Sequence, residues 1–297
     1  MAEQQGPLSV ERCIVDSGST DGTVEAARQY DFEVLTVDAR DFNHGATRDH
    51  AIERTKGRAI ALVVQDAIPA DDRWLHELAA PLLEDEEAAG SFSRQVSIPG
   101  GNPILDERLR GWIAGKDEAR RSQLERPEQW DELDPIARLH QVAFDNVASC
   151  VKRQRWQEHP FGHRPFGEDL GWSTWAIRAG HAIRFEPRSV VEHSHDRSAW
   201  YEARRIYCDH RNLNQLLGLC SFPTLRDALR ARPHAAAHYL DILERSGLEG
   251  EELRRRQKWA RQYALGETVA QWLAPRVNRA QARGFWGWLD RRLRRGI

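Results

Sequence analysis

The chain is 297 residues long, 40% apolar and 30% charged, with a formal net charge of −2; this composition describes a globular protein with a substantial core and excludes a generic basic nucleic-acid binder. No apolar run approaches the roughly 20 residues of a membrane span, and the N-terminus has no signal-peptide apolar region, so the expected address is cytoplasmic. Cys13, Cys150, Cys208 and Cys220 have no CxxC spacing, which fits a reducing compartment and gives no support to a zinc ribbon.

Met1 to Val10 is polar and is expected to be loose. Arg12 to Val15 reads as a strand that breaks into DSGSTDGT, Asp16 to Thr23. Gly18 and Gly22 permit a tight turn, Ser19, Thr20 and Asp21 are good N-caps, and Thr23 to Tyr30 has helical composition. The loop has neither GxxxxGK[ST] nor GxGxxG spacing. A carboxylate at the C-terminal end of a strand in an open α/β sheet faces the ligand crevice, and Asp16 there suits ribose hydroxyls or base N–H groups. An ordinary βα turn explains the same letters.

Phe32 to Val37 predicts a second strand, Asp38 to Gly45 a loop, and Ala46 to Thr55 a helix with Arg48 in its first turn. A cation in that position opposes the helix dipole, so Arg48 is either a solvated surface residue or placed for an anion. Ala59 to Val64 is a continuous apolar run, as expected of a strand covered on both faces. It leads into Gln65 and Asp66, which puts a lone carboxylate at the tip of a central strand; an Asx turn before Pro69 is the plain alternative. A helix follows over Asp71 to Leu83. Ala88 to Gln95 predicts another strand, ending in Arg94 and Gln95. Ser97 to Pro135 is rich in Pro, Gly and charge, and reads as a loop, an acceptor lid, or an amphipathic helix around Leu105 to Ile113. Val142 to Val151 is strand-like, and Lys152 to His159 is a short helix or turn.

Pro165 to His195 reads as loop, helix, turn and strand. Glu168 and Asp169 open the helix, Gly180 ends it, and Ala182 to Val191 alternates as a strand does. Asp169 in a first helical turn is expected to stay ionised, because exposed N–H groups and the dipole favour a carboxylate. His193 and His195 lie two apart on an extended segment and can point to one side. Capping acids followed by solvated histidines is the competing description. Helices are then expected over Trp200 to Gly218, Thr224 to Arg230, Ala235 to Ser246, Glu251 to Leu273 and Arg276 to Leu293. Glu251 to Ile297 carries 12 basic against 4 acidic residues. Its closing GFWGWLDRRLRR mixes aromatics with arginine, as a helix settling on anionic lipid does; a solvated basic face with inward Trp is the alternative.

Six motifs stand in order: VDSGSTDGT, FNHGATRDHA, VVQDAIPADDRWL, SFSRQ, FGEDLGW and VVEHSH. Together they resemble family 2 of the glycosyltransferases, the inverting GT-A enzymes, and within it the bacterial rhamnosyltransferase-like branch that builds surface polysaccharides. The likeness spans Arg12 to Gly218. It implies an α/β fold with a Rossmann-like, mixed, mostly parallel sheet and helices on both faces. It further implies a GT-A domain over 1–218 (donor half 11–96, acceptor half 97–218) and a helical extension over 219–297. The implied activity is transfer of a sugar, rhamnose among the candidates, from a nucleoside-diphosphate donor to a saccharide or lipid-linked acceptor, with no nucleic-acid partner and with peripheral contact at the inner membrane face.

Carried over by motif, Asp16 and then Asp21 meet the donor's base or ribose, Arg48 meets the nucleotide or pyrophosphate, and Gln65 and Asp66 form the donor and metal motif. Glu168, Arg94 and Gln95 support the acceptor or the loop. Asp169 is the general base, and His193, with His195 as alternate, reaches the metal or pyrophosphate. The implied cofactor is Mg²⁺ or Mn²⁺, which favour oxygen ligands. Two departures stand out. The metal motif offers one carboxylate, in Gln65-Asp66-Ala67, and only about ten polar residues stand before the strand at Arg12, where family members carry a strand and a helix; either the start is misassigned, or this is a shortened member whose sheet lacks a strand beside the nucleotide site. That shortening motivates a second reading, a non-catalytic member acting as a binding or assembly partner. A third, a metal-dependent hydrolase using Asp66, His193 and His195, lacks further His pairs at metal spacing.

Overall fold

The structure, a computed structural model, describes residues 4–297; Met1 to Glu3, the start of the segment expected to be loose, lie outside the described residues. In chain order the elements are β1 (Cys13–Asp16), α1 (Thr23–Gln29), β2 (Glu33–Thr36), α2 (His44–Arg54), β3 (Ala59–Val63), β4 (Ile68–Pro69), α3 (Trp74–Glu84), β5 (Ala88–Val96), α4 (Pro103–Gly111), a 3₁₀ turn (Ile113–Gly115), β6 (Arg120–Ser122), α5 (Gln129–Glu132), α6 (Pro135–Gln141), β7 (Ala148–Lys152), α7 (Arg153–Glu158), α8 (Glu168–Arg178), β8 (Ala182–Glu192), α9 (Ala199–Leu217), α10 (Leu225–Arg245), α11 (Gly250–Arg279) and α12 (Gly284–Arg294). They group into two compact units. The first comprises residues up to Val96 with Trp112–Leu133 and His140–His193; the second comprises Ser97–Gly111, Asp134–Leu139 and Ser194–Ile297.

The first unit is built on an open, mixed sheet. Strands run in the order β3-β7-β5-β8-β4, and β6 shares with β4 one edge of β8. The expectation of a mostly parallel sheet does not hold: β5 and β8 pair in parallel, but β7 enters between β3 and β5 antiparallel to both, and β4 and β6 are antiparallel to β8. β1 and β2 pair in parallel in a separate two-stranded sheet. Consequently β3, expected to be central, is an edge strand, and its residues are mostly half-exposed.

Side chains alternate across a strand, and β5 shows what each face meets. Ser91 Oγ donates to the Leu78 carbonyl, and Trp74 Nε1 donates to Ser93 Oγ, so α3 covers that face. There Trp74, Leu78, Leu82, Cys150, Ala182 and Val191 form the heart of a buried cluster. Gly90 and Phe92 point the other way. A Cβ on Gly90 would lie 3.1 Å from both Phe144 and Trp172 of α8, and Phe92 packs on Phe144 and Phe185. Helices therefore lie on both faces. A side chain at position 90 would displace α8's tryptophan, which is why the strand carries glycine there.

The second unit is helical. α9 and α11 approach closely enough that a Cβ on Gly266 would meet Ala203 at 2.6 Å. Arg108 of α4 donates to Tyr239 of α10 (3.1 Å) and pairs with Glu267 of α11, and Tyr207 of α9 donates to Asp290 of α12 (2.8 Å). The expected breaks differ from those found. α10 runs through Pro233 and α11 through Pro275, and the chain breaks instead at Gln281 and Ala282, whose φ values are 50° and 49°. A proline costs one backbone bond and a local clash, which burial of a long helix face can outweigh. Among the described residues no helix is long and apolar enough to cross a membrane.

Candidate functional site

The polar residues of the first unit meet where β3, β5 and β8 end and α8 begins. α8 opens at Gly167, in the left-handed region at φ 67°, as the sequence's acidic start predicts. Its first residue, Glu168, is buried; the carboxylate pairs with Arg48 of α2 (2.7 Å) and accepts from Asn146 Nδ2 (3.0 Å). Asp169 accepts at Oδ1 from its own neighbour's amide, Leu170 N (2.7 Å), and at Oδ2 from Asn146 N (3.3 Å).

The helix terminus does not keep Asp169 acidic. Burial, with the Glu168 carboxylate next in weight, pushes it up to about 8; the Leu170 amide and Arg48 oppose this, and Asp145 adds to it. The expectation of an ionised Asp169 fails at neutral pH because desolvation outweighs a terminal dipole worth roughly a kcal/mol. Arg48 is placed differently from the sequence reading too. Asn43 caps α2 by accepting from Ala46 N, so the helix starts at His44 and Arg48 lies beyond its first turn. The guanidinium is occupied by Glu168 and by the His44 carbonyl (3.1 Å).

Asp145 went unnoticed in the sequence. The strand expected over 142–151 includes it, but β7 starts only at Ala148 and Asp145 lies in the preceding loop. Burial pushes its carboxyl up to about 7, against hydrogen bonds from Val147 N and Gln95. The signal available was the Asp145-Asn146 pair inside an apolar run, two turn-forming residues where a strand needs none. Gln95, at the end of β5, is buried and donates from Nε2 to Asp145 Oδ1 (2.9 Å) and Oδ2 (2.8 Å), while its Oε1 lies 3.2 Å from His193 Nδ1. Arg94, beside it, keeps its Nε buried without a hydrogen-bond partner.

His193 follows β8 directly, its amide donating to the Val96 carbonyl (2.9 Å). Its Nε2 faces Asp66 Oδ1 at 3.6 Å. That is longer than a hydrogen bond, yet short enough for one ion of about 2.1 Å bond length to touch both atoms, since such an ion spans ligands up to about 4.2 Å apart. A half-exposed carboxylate with an imidazole suits Mg²⁺ or Mn²⁺, with further positions left for phosphate oxygens and water. Asp66 stands in the turn between the edge strand β3 and the two-residue β4 rather than on the tip of a central strand, with Gln65 exposed beside it. His195 belongs to the second unit.

Asp16 closes β1, and the hydrogen bonds of its carboxylate lie within its own turn: Oδ2 accepts from Gly18 N (2.9 Å), and both oxygens accept from Ser19 N (3.1 and 3.2 Å). Ser19 and then Gly18 lower its pKa. Asp21 is exposed and accepts from Thr23 N and Oγ1, while Gly22 is the N-cap of α1. The structure thus joins Asp66, His193, Gln95, Asp145, Asp169, Glu168 and Arg48 into one chain of contacts and leaves Asp16 and Asp21 in a self-bonded loop.

Residues 2–147 match the family model described as glycosyl transferase family 2. The O-antigen chain rhamnosyltransferase RfbN of Salmonella typhimurium is 26% identical over 199 residues, covering 65% of this chain and 60% of that protein. The O-antigen chain rhamnosyltransferase WbaN of Salmonella anatum is 25% identical over 199 residues, covering 65% and 59%. The chain therefore spans about 60% of the length of these curated relatives. Among solved structures, S. aureus TarS 1-349 in complex with UDP superposes with a TM-score of 0.49 at 16% identity, covering 96% of this chain and 86% of that one.

Proposed function

Residues 2–147 being a glycosyl transferase family 2 domain, we propose that the chain transfers a sugar, rhamnose from a dTDP donor being the leading candidate, to a saccharide or lipid-linked acceptor with inversion at the anomeric carbon. The observation that carries this reading is the single polar chain in which a carboxylate–imidazole pair, Asp66 and His193, is linked through Gln95 and Asp145 to the buried acid Asp169. Inverting transfer needs both ends: a base for the acceptor hydroxyl and a charge-stabilising site for the departing diphosphate. O-antigen rhamnosyltransferase relatives support the sugar class and the surface-polysaccharide role.

In this reading Asp169, held at about 8 by burial and the Glu168 carboxylate, takes the acceptor hydroxyl's proton. A pKa near the working pH combines a usable fraction of base with enough basicity to draw that proton. Glu168 and Arg48 hold the start of α8 in place, with the ion pair between them nearly buried. Asp66 and His193 would hold a divalent cation. Such an ion supplies charge neutralisation at the diphosphate as the bond to the sugar breaks. Asp16 and Asp21 offer their loop to the nucleoside, and that role requires Asp16 to exchange its turn hydrogen bonds for base or ribose contacts.

A transfer assay tests the proposal. Purified protein with dTDP-rhamnose and other nucleoside-diphosphate sugars is incubated with lipid-linked and free oligosaccharide acceptors, and the anomeric configuration of product is read by NMR. Inverted product formed by wild type and lost in Asp169→Asn supports it. Failure of any nucleoside diphosphate to bind, with Asp16 and Arg48 intact, overturns it and leaves the non-catalytic reading.

One surface feature extends the partner class. On α12, Phe285 and Trp288 are 65% and 52% exposed and stack on each other, and Arg291, Arg292 and Arg295 are exposed beside them. Aromatics and arginines on one exposed helix face fit the interface of an anionic bilayer, which is where a lipid-linked acceptor resides.

A further inference from the structure

Gln95 ends β5 with 7% of its surface exposed, and both ends of its amide are engaged inside the first unit. Its Nε2 lies 2.9 and 2.8 Å from the two oxygens of Asp145. Above its pKa of about 7 the Asp145 carboxylate only accepts, so the NH₂ end of the amide belongs on that side. The carbonyl end, Oε1, then faces His193 Nδ1 at 3.2 Å. A carbonyl oxygen cannot donate, so the hydrogen in that contact sits on the imidazole, at Nδ1. In a neutral ring the other nitrogen then carries the lone pair. That nitrogen, Nε2, is the one turned toward Asp66 at 3.6 Å. The backbone reinforces the alignment. Gln95 is paired with Val191 across the parallel β5–β8 ladder, so its side chain and that of His193, two residues further along, leave the sheet on the same face.

We propose that Gln95 is a positioning residue: oriented by Asp145, it fixes His193 as the Nδ1–H tautomer and so directs the Nε2 lone pair to a divalent cation shared with Asp66. The assignment rests on the reading of Asp66 and His193 as a cation pair. It differs from an acceptor-contacting role, because both polar ends of the amide are already engaged, by Asp145 and by His193. Histidines that ligate metals are commonly held this way by an acceptor on the second ring nitrogen, and losing that partner weakens metal binding by about 10- to 100-fold.

The test uses the full chain with ¹⁵N-labelled histidine at alkaline pH, where the ring is neutral. Long-range ¹H–¹⁵N spectra distinguish the two tautomers, and His193→Gln assigns the resonance. Wild type is expected to show Nδ1–H. Gln95→Leu is expected to lose that tautomer preference and to bind Mn²⁺ alone about 10- to 100-fold more weakly by calorimetry. The double variant Gln95→Glu with Asp145→Asn reverses the donor and acceptor between the two side chains while keeping an acceptor on His193 Nδ1. It is expected to restore both readouts, which separates positioning from a general loss of packing. An Nε2–H tautomer in wild type overturns the proposal, as does a Gln95→Leu variant with unchanged tautomer and unchanged Mn²⁺ affinity. Nδ1–H in wild type, lost in Gln95→Leu, with no Mn²⁺ binding by either protein, supports the positioning and overturns the cation reading alone.

Discussion

The carboxyls of Asp169 and Asp145 are raised to about 8 and about 7, well above the usual carboxylate range, chiefly by burial. A carboxyl whose folded pKa exceeds its unfolded one holds more protons folded than unfolded between the two values. Stability therefore falls as pH rises from about 4 to about 8, and levels off above. In the proposed transfer, activity runs the other way, because Asp169 serves as base only when deprotonated. Asp169→Asn is accordingly expected to lower transfer by about 10²- to 10⁴-fold, leave nucleotide affinity near wild type, and raise Tm at pH 8 by about 2–4 °C for each kcal/mol regained. Transfer assays, calorimetric titration and thermal melts check the three parts. Asp145→Asn removes a neighbouring charge that raises Asp169, so the acidic limb of the kcat–pH profile is expected to move to lower pH; an unmoved limb counts against Asp169 as the titrating base. The acidic pair at Glu168-Asp169 was visible in the letters of the sequence. Its protonation was not, since that depends on Asp145 and Glu168 crowding the same buried volume.

At the scale of elements, α2 is fastened to the loop that precedes α8. Asp49 accepts from Trp156 Nε1 (2.7 Å), Phe161 N (3.0 Å) and Gly162 N (2.7 Å), and Gly45 donates to the Arg164 carbonyl. A Cβ on Gly45 would lie 2.1 Å from the Gly162 carbonyl oxygen, backbone that cannot step aside. A Cβ on Gly171 would meet the Arg164 guanidinium at 2.5 Å, the far end of a flexible side chain. Gly45→Ala is therefore expected to cost about 1–3 kcal/mol and to disturb the Arg48–Glu168 pair that α2 carries to α8. Gly171→Ala is expected to cost well under that. Chemical denaturation of the two variants checks the contrast, and equal losses would show that the loop yields. Sequence patterns found α8, β8 and the first strand–loop–helix because each is marked by local turn chemistry. They misjudged β3 as central and cut α10 and α11 at their prolines, because strand neighbours and helix burial are set by distant parts of the chain.

For the molecule as a whole, the exposed Phe285–Trp288 stack and the arginines beside it make a testable surface. Phe285→Ser with Trp288→Ser is expected to reduce co-sedimentation with vesicles containing anionic lipid and leave Tm nearly unchanged, since both side chains face solvent. Raised salt is expected to weaken wild-type binding, as a screened electrostatic contribution requires. Equal partitioning of wild type and variant would reject the lipid surface. Point variants suit this question better than truncation, because α12 is tied to α9 through the Tyr207–Asp290 bond and α11 packs along α9.

The sequence by itself determined the family likeness, the residue types at the site and most element positions, since caps, glycine turns and alternation act within a few residues. The tertiary structure alone decided that β7 enters the sheet antiparallel, that Arg48 is held by Glu168, and that Asp145 and Gln95 connect the acid to the imidazole. These contacts join residues 50 to 120 positions apart in the chain. No local pattern encodes them, because burial and partner charge arise only when the separate elements close around one another.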